Sequence, residues 1–326
     1  MNCSFCNELA EPQFLFCEAC GKPLVADVVV GDDLPAVEND NAAVGCIRCG
    51  CGSSRFDSDG YCEACGHRSS PLDAIDVLES GVQAASASHR GRHHSDNQDS
   101  VLMQELPNGF AIALADGVST SCHARAAADI AVQTALKTLQ DCGSLPTAER
   151  MRLATQRAHE AVCTLPHDNL QLAEPQATLV LALVEGMQVW YSWVGDSRLY
   201  MIDQAEVIQL TMDDSWLNAQ VNTGVPIAAA LKDINAHCIT QCLGMRDDEV
   251  DIHIATQRLS PDAILLLCSD GLWNYCDEPK ALRKLLNEGN VTDSLARRCV
   301  KLIDYANAAG GQDNITVAMY RHRCAG

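Results

Sequence analysis

Aromatic residues make up only 5% of the 326 positions, and bases are few, 23 Lys and Arg against 43 Asp and Glu. A formal charge of −20 offers no basic surface, which disfavours general binding to nucleic acid or to an anionic membrane. No long apolar run is present; Ala263 to Cys268, as long as any, is far too short to cross a bilayer. The opening residues, MNCSFCNELAEPQ, lack the basic and apolar regions of a secretory signal. A soluble protein of the reducing cytoplasm, without membrane attachment, is therefore expected. What is present is enough aliphatic material for a core. Hydrophobic residues reach 47%, so with so few rings the interior must be built from branched aliphatics and Ala. The length fits one domain of about 200–250 residues with a small appendage.

Cysteine is abundant and unevenly spread. Nine of the 18 lie in the first 65 residues, and the other nine are scattered singly from Cys122 to Cys324. Residues 3–20 contain Cys3-x2-Cys6 and Cys17-x2-Cys20, and residues 46–65 repeat the design with Cys46-x2-Cys49 and Cys62-x2-Cys65. Two close thiolate pairs per copy suit a tetrahedral zinc ion. Segments of about 20 residues cannot bury a core, so metal would supply their fold. Two structural zinc ions are expected, in a ribbon at 1–23 and another at 46–70. Cys51 and His67 are spare ligand candidates. The intervening residues 24–45 carry five acids and no Lys or Arg, and read as an acidic linker. The scattered cysteines read as buried thiols, none having an obvious base beside it.

From about residue 78 to 324 the texture is that of a larger domain. Gly109–Ala115, Ala177–Val184, Gln188–Val194, Ala263–Cys268 and Ile315–Tyr320 are short apolar runs bounded by turn residues, and read as buried strands. Ala124–Leu139, Ala148–Val162, Pro279–Leu286 and Asp293–Ala306 read as amphipathic helices. The order lacks the regular alternation of a doubly wound parallel sheet. The neighbouring runs 177–184 and 188–194, joined through Glu185-Gly186, favour antiparallel pairing. The class expected is α+β.

Three apolar strands end in Asp next to a small residue: Asp116-Gly117, Asp196-Ser197 and Asp270-Gly271. Two further carboxylates, Asp99 in Asn97-Gln98-Asp99-Ser100 and Asp313 in Gly310-Gly311-Gln312-Asp313-Asn314, sit in loop-like contexts. One Asp-Gly after a strand is ordinarily a turn. Five such sites, brought to one sheet edge, form a crowded acidic cluster whose repulsion divalent cations relieve. Oxygen-only ligation points to Mg2+ or Mn2+. Two such ions, about 3.5–4 Å apart, activate water and clamp a phosphoryl group for in-line attack.

The segments NQDS at 97–100, LADGVS at 114–119, WVGDSRLY at 193–200, ITQCLG at 239–244, LLLCSDGLW at 265–273 and GGQDNITV at 310–317 together resemble the metal-dependent, type-2C (PPM) protein serine/threonine phosphatase family. The resemblance runs from Gly91 to Tyr320. It implies a β-sandwich flanked by helices in α-β-β-α layers and Mg2+- or Mn2+-dependent hydrolysis of phosphoserine and phosphothreonine. Carried over by position, Asp116 bridges two ions, with the Gly117 carbonyl on one of them, and Asp270 and Asp313 complete that ion's site. Asp99 and Gln98 fall where the family contacts metal-held waters, and Asp196 contributes to a third, weaker ion. Residues 211–238 match the family's mobile flap.

Two positions depart from the family pattern. His94 stands where the family has a phosphate-binding Arg, and Gln98 where it has an acid. A phosphate grip by His94 would depend on its protonation; Arg92 is the other candidate, and a plain rim position for His93 and His94 is the alternative. The partners expected are a phosphoprotein substrate and a Ser/Thr kinase-bearing signalling protein, with the chain a monomer. The competing readings are a catalytically weak phosphoprotein-binding module with the ribbons as adaptor, and a hydrolase of small phosphoesters.

Overall fold

The computed structural model describes residues 74–169, 171–203, 206–246, 249–276, 279–287 and 293–322. The chain divides into two units, Met1–Ser69 and Ser70–Gly326, and every described residue lies in the second. The eight ribbon thiols and the acidic linker at 24–45 lie outside the described residues.

Two antiparallel sheets carry the second unit. One has six strands, in the order β1 (Asp76–Ser80), β2 (Ala84–His89), β11 (Ile315–Arg321), β10 (Ile264–Cys268), β7 (Arg198–Ile202) and β8 (Val207–Gln209). The other has five: β3 (Asp99–Leu106), β4 (Gly109–Asp116), β5 (Leu179–Glu185), β6 (Gln188–Val194) and β9 (His253–Arg258). Period-two alternation shows why the central strands read as continuous apolar runs. Phe110, Ile112 and Leu114 of β4 join Val180, Ala182 and Val184 of β5 in a core shared with Leu265 and Leu267 of β10 and Tyr320 of β11. That core lies between the sheets. The alternate residues Ala111, Ala113, Leu179 and Leu181 face outward onto α1 (Ala124–Asp141) and α2 (Thr147–Cys163). On the other sheet Leu266, Val317 and Met319 pack with Leu295, Cys299 and Leu302 of α7 (Leu295–Ala309). Strands covered on both faces show no polar alternation. Ala127, Ala128, Ala131 and Ala135 of α1, all fully buried, bring that helix close to its sheet and explain how the core manages with few rings.

The five expected strands and four expected helices are present, Gln188–Val194 with the expected ends and the others with ends shifted. Ala177 and Thr178 stand outside β5; Ala177 instead bridges Gly117 and Leu243. Asp293 precedes the helix whose N-cap is Ser294. Six strands escape a search for apolar runs. In β2 the sequence AASASH is fully buried but built of small residues, and β1 (DVLES) is an exposed edge. Because β1 begins at Asp76, the folded unit starts ahead of residue 78. Within 211–238 lie two short helices, α3 (Trp216–Asn222) and α4 (Ile227–Ala230). The base of this excursion is tied by bonds from Asp214 N–H to the Gly195 carbonyl and from Thr240 N–H to the Asp214 carbonyl, both within 2.8–3.0 Å.

Candidate active site

Both sheets deliver carboxylates to one end of the sandwich. Asp99 opens β3 and Asp116 closes β4, and the two are register partners. Asp270 begins the short helix α5 (Asp270–Trp273) directly after β10, and Asp313 precedes β11. Asp196 lies in the link from β6 to β7, which passes from one sheet to the other. The five groups feel one another. Burial, then Asp99, Asp270, Asp196 and Asp313, pushes the Asp116 carboxyl well above the usual range. Burial and then Asp196, Asp313 and Asp99 do the same to Asp270. Asp99, raised chiefly by burial, sits at about 6; Asp196, raised by burial and by Asp213, sits at about 7.

The polypeptide fixes these groups through polar side chains next to the acids. Ser269 donates to Asp99 Oδ2 at 2.8 Å and accepts from Thr316 N–H at 3.0 Å. Asn314 accepts from the Gln98 N–H at 2.7 Å and donates to the carbonyls of Arg90 and Asp96, so it holds the β2–β3 loop against the start of β11. Thr178 Oγ1 accepts from the Asp116 N–H and bonds Ser197. Arg198 makes a two-pronged pair with Asp213 and stacks 3.8 Å from the Trp273 ring centroid. The Trp273 indole in turn donates to the Asp196 carbonyl. Ser269, Asn314, Arg198 and Trp273 fall inside the motif segments, whereas Thr178 and Asp213 lie far from the acids in sequence, and only the fold brings them there. The glycines after two of the acids answer to crowding. A Cβ on Gly117 would fall 2.4 Å from the Ala124 carbonyl oxygen, and one on Gly271 would fall 2.0 Å from that of Asn314.

Two carboxylate oxygens, Asp99 Oδ1 and Asp270 Oδ1, are buried without a hydrogen-bond partner. An unpaired buried carboxylate oxygen is costly, and a converging set of them fits hard cations with oxygen ligands. His94 lies beside this cluster, its Nε2 3.2 Å from Asp313 Oδ1. Arg92 is anchored through its backbone N–H to the Gly311 carbonyl, and its side chain is exposed, as is that of His93. Ser119 donates to Gln98 Oε1 at 2.9 Å.

A family model for protein phosphatase 2C matches residues 86–301. The chain belongs to the protein phosphatase 2C family. The serine/threonine phosphatase stp of Listeria welshimeri is 28% identical over 235 residues, covering 71% of this chain and 91% of the relative. The serine/threonine phosphatase PstP/Ppp of Mycobacterium tuberculosis superposes with a TM-score of 0.63 at 25% identity, over 77% of this chain and all of that one. A structure of the PstP catalytic domain in complex with two manganese ions has a TM-score of 0.58 at 24% identity, over 76% and 99% of the two chains. The 2C-type matches lie on the sandwich unit, where all five acids are found.

Proposed function

We propose that the chain hydrolyses phosphoserine and phosphothreonine in proteins, using Mg2+ or Mn2+ held by Asp116, Asp270 and Asp313 with the Gly117 carbonyl. Asp99 and Gln98 orient water at the ions, and Asp196 serves a third, weaker ion. Family membership and the phosphatase relatives support the reaction class. The observation that carries the metal assignment is the convergence of four acids from two sheets with two orphaned oxygens. When bound, the ions supply Lewis-acid polarisation of the phosphoryl oxygens and activation of water. The chain's own part is positional. Ser269 fixes Asp99, the Asn314 bonds fix the loop bearing Gln98, and the Arg198–Trp273 stack fixes the Asp196 turn. His94, at the rim beside Asp313, contacts the substrate phosphate.

In this reading Cys3, Cys6, Cys17 and Cys20 hold one structural zinc, and Cys46, Cys49, Cys62 and Cys65 a second. The ribbons dock a signalling partner that bears a Ser/Thr kinase, and the protein works as a cytoplasmic monomer. Among the described residues no helix is long and apolar enough to cross a membrane. The deciding experiment compares Mn2+-dependent release of phosphate from a phosphothreonine peptide and from an aryl phosphate. Preference for the peptide is expected. Turnover of the aryl phosphate alone would point to a small phosphoester, and tight peptide binding without turnover to a phosphoprotein-binding module.

A further inference from the structure

We propose a second metal site, for zinc, formed by Cys122, His123 and Asp168 and separate from the aspartate cluster. The three ligand atoms lie within 4.8 Å of one another. They come from two loops stitched together by backbone bonds: Cys122 N–H to the Ala173 carbonyl at 2.9 Å and Ala173 N–H to the Thr120 carbonyl at 3.1 Å. The loops therefore present the ligands on a fixed frame.

Each ligand is disposed for the task. The Cys122 thiol is buried and makes only a long contact, 3.9 Å, to the Pro166 carbonyl. His123 occupies the left-handed region, φ 53° and ψ 32°, at the N-cap of α1, and makes no side-chain capping bond there. That conformation disfavours a residue with a Cβ. It turns the imidazole toward Asp168, whose Oδ1 lies 2.8 Å from Nε2. Ligand atoms around a tetrahedral zinc, with bonds of about 2.0–2.3 Å, lie roughly 3.3–3.8 Å apart. Admitting the ion takes a spread of the His123–Asp168 pair by less than about 1 Å and an approach by about as much of His123 and Asp168 to the Cys122 sulfur, which lies within 4.8 Å of both; the two side chains are exposed enough to move.

The donor set chooses the metal. One sulfur, one nitrogen and one oxygen suit a borderline-soft ion such as Zn2+, whereas an all-oxygen cluster suits Mg2+ or Mn2+. Three protein ligands leave a fourth position open. All three ligands line a cleft of about 680 Å3 whose wall also includes Gln98, Ser119 and Arg125.

The test uses the full chain, loaded with Zn2+ or Co2+ and dialysed, and counts metal per chain by elemental analysis. Wild type should hold one more zinc than either Cys122→Ala or His123→Ala, and Asp116→Asn should keep the wild-type count. Excess Mn2+ should not displace the additional ion, and the cobalt form should lose part of its thiolate-to-cobalt absorption in Cys122→Ala. His123 is a surface side chain, so His123→Ala keeps the test valid if Cys122→Ala folds poorly. Equal zinc counts in wild type and His123→Ala overturn the proposal. So does an additional ion that Mn2+ displaces or that disappears in Asp116→Asn, because it would belong to the aspartate cluster.

Discussion

Asp116 meets the other acids of the cluster from the end of β4. It lies opposite Asp99 in the β3–β4 register and is raised by four other carboxylates. Asp116→Asn removes a ligand charge while relieving repulsion. The expected result is a fall in kcat of at least about 10²–10³-fold, the scale for losing one electrostatic contributor to a transition state, with Tm equal to or above wild type in metal-free buffer. Steady-state kinetics with Mn2+ and thermal melting check both halves. His94 allows a different test. If it grips phosphate, His94→Arg should lower KM for a phosphopeptide by about tenfold, the equivalent of one charge-assisted bond, with kcat little changed. The 3.2 Å contact to Asp313 sharpens the test. An arginine that pairs with Asp313 instead would lower Mn2+ affinity and leave KM unimproved. His94 was legible from the sequence as a departure from a pattern. Asn314 and Ser269 were not, because a polar residue next to an acid signals nothing until the fold shows what it reaches.

Elements buried on both faces were the legible ones. β4, β5, β6, β10 and β11 announce themselves as apolar runs because each lies between a core shared by the sheets and a layer of helices. β2 is equally buried, yet AASASH alternates only between Ala and Ser, too small a contrast to read as an apolar face, although Ala85 and Ala87 pack in the core with α7 and Ala84 in the core between the sheets. β1, β8 and β9 are edge strands with partly exposed residues, which is why hydrophobicity did not mark them. The start of β1 also dictates how the molecule can be divided. A chain beginning at Ser70 keeps the five β1–β2 pairs from Asp76↔Ser88 to Ser80↔Ala84, whereas one beginning at Gly81 opens β2 to solvent. The chain beginning at Ser70 should retain full activity on a phosphopeptide and hold two fewer zinc ions than the intact chain. The shorter one should melt at a lower temperature. Elemental analysis, peptide assays and calorimetry on the two proteins check this.

At the scale of the whole molecule, the acid cluster links metal, protons and stability. The raised carboxyls, Asp99 at about 6 and Asp196 at about 7 against 3.8 for a free Asp, bind protons more tightly in the folded than in the unfolded chain. Their contribution is full below about pH 4 and is lost as pH rises through 6 to 7. Protein dialysed free of Mg2+ and Mn2+, with its zinc retained, should therefore show a falling Tm across that window. Saturating Mn2+ should abolish or reverse the slope, since the cations take the place of the protons. Melting curves at fixed ionic strength, with and without Mn2+, check the sign; a metal-free Tm that rises from pH 5 to 8 would contradict it.

The origin of the acids has a mechanical consequence. Asp99 and Asp116 belong to strands of one sheet, whereas Asp270 follows β10 and Asp313 precedes β11 of the other. An ion shared between them would be a rivet through the open end of the sandwich, at the margin of the core that the sheets share. Occupancy of a small inorganic site would then govern how readily two large β layers part. Amide hydrogen exchange at the last residues of β4 and of β10 should slow together on loading and quicken together on stripping, although those segments are never hydrogen-bonded to each other. Breathing of the scaffold and charging of the catalytic centre would be a single cooperative event.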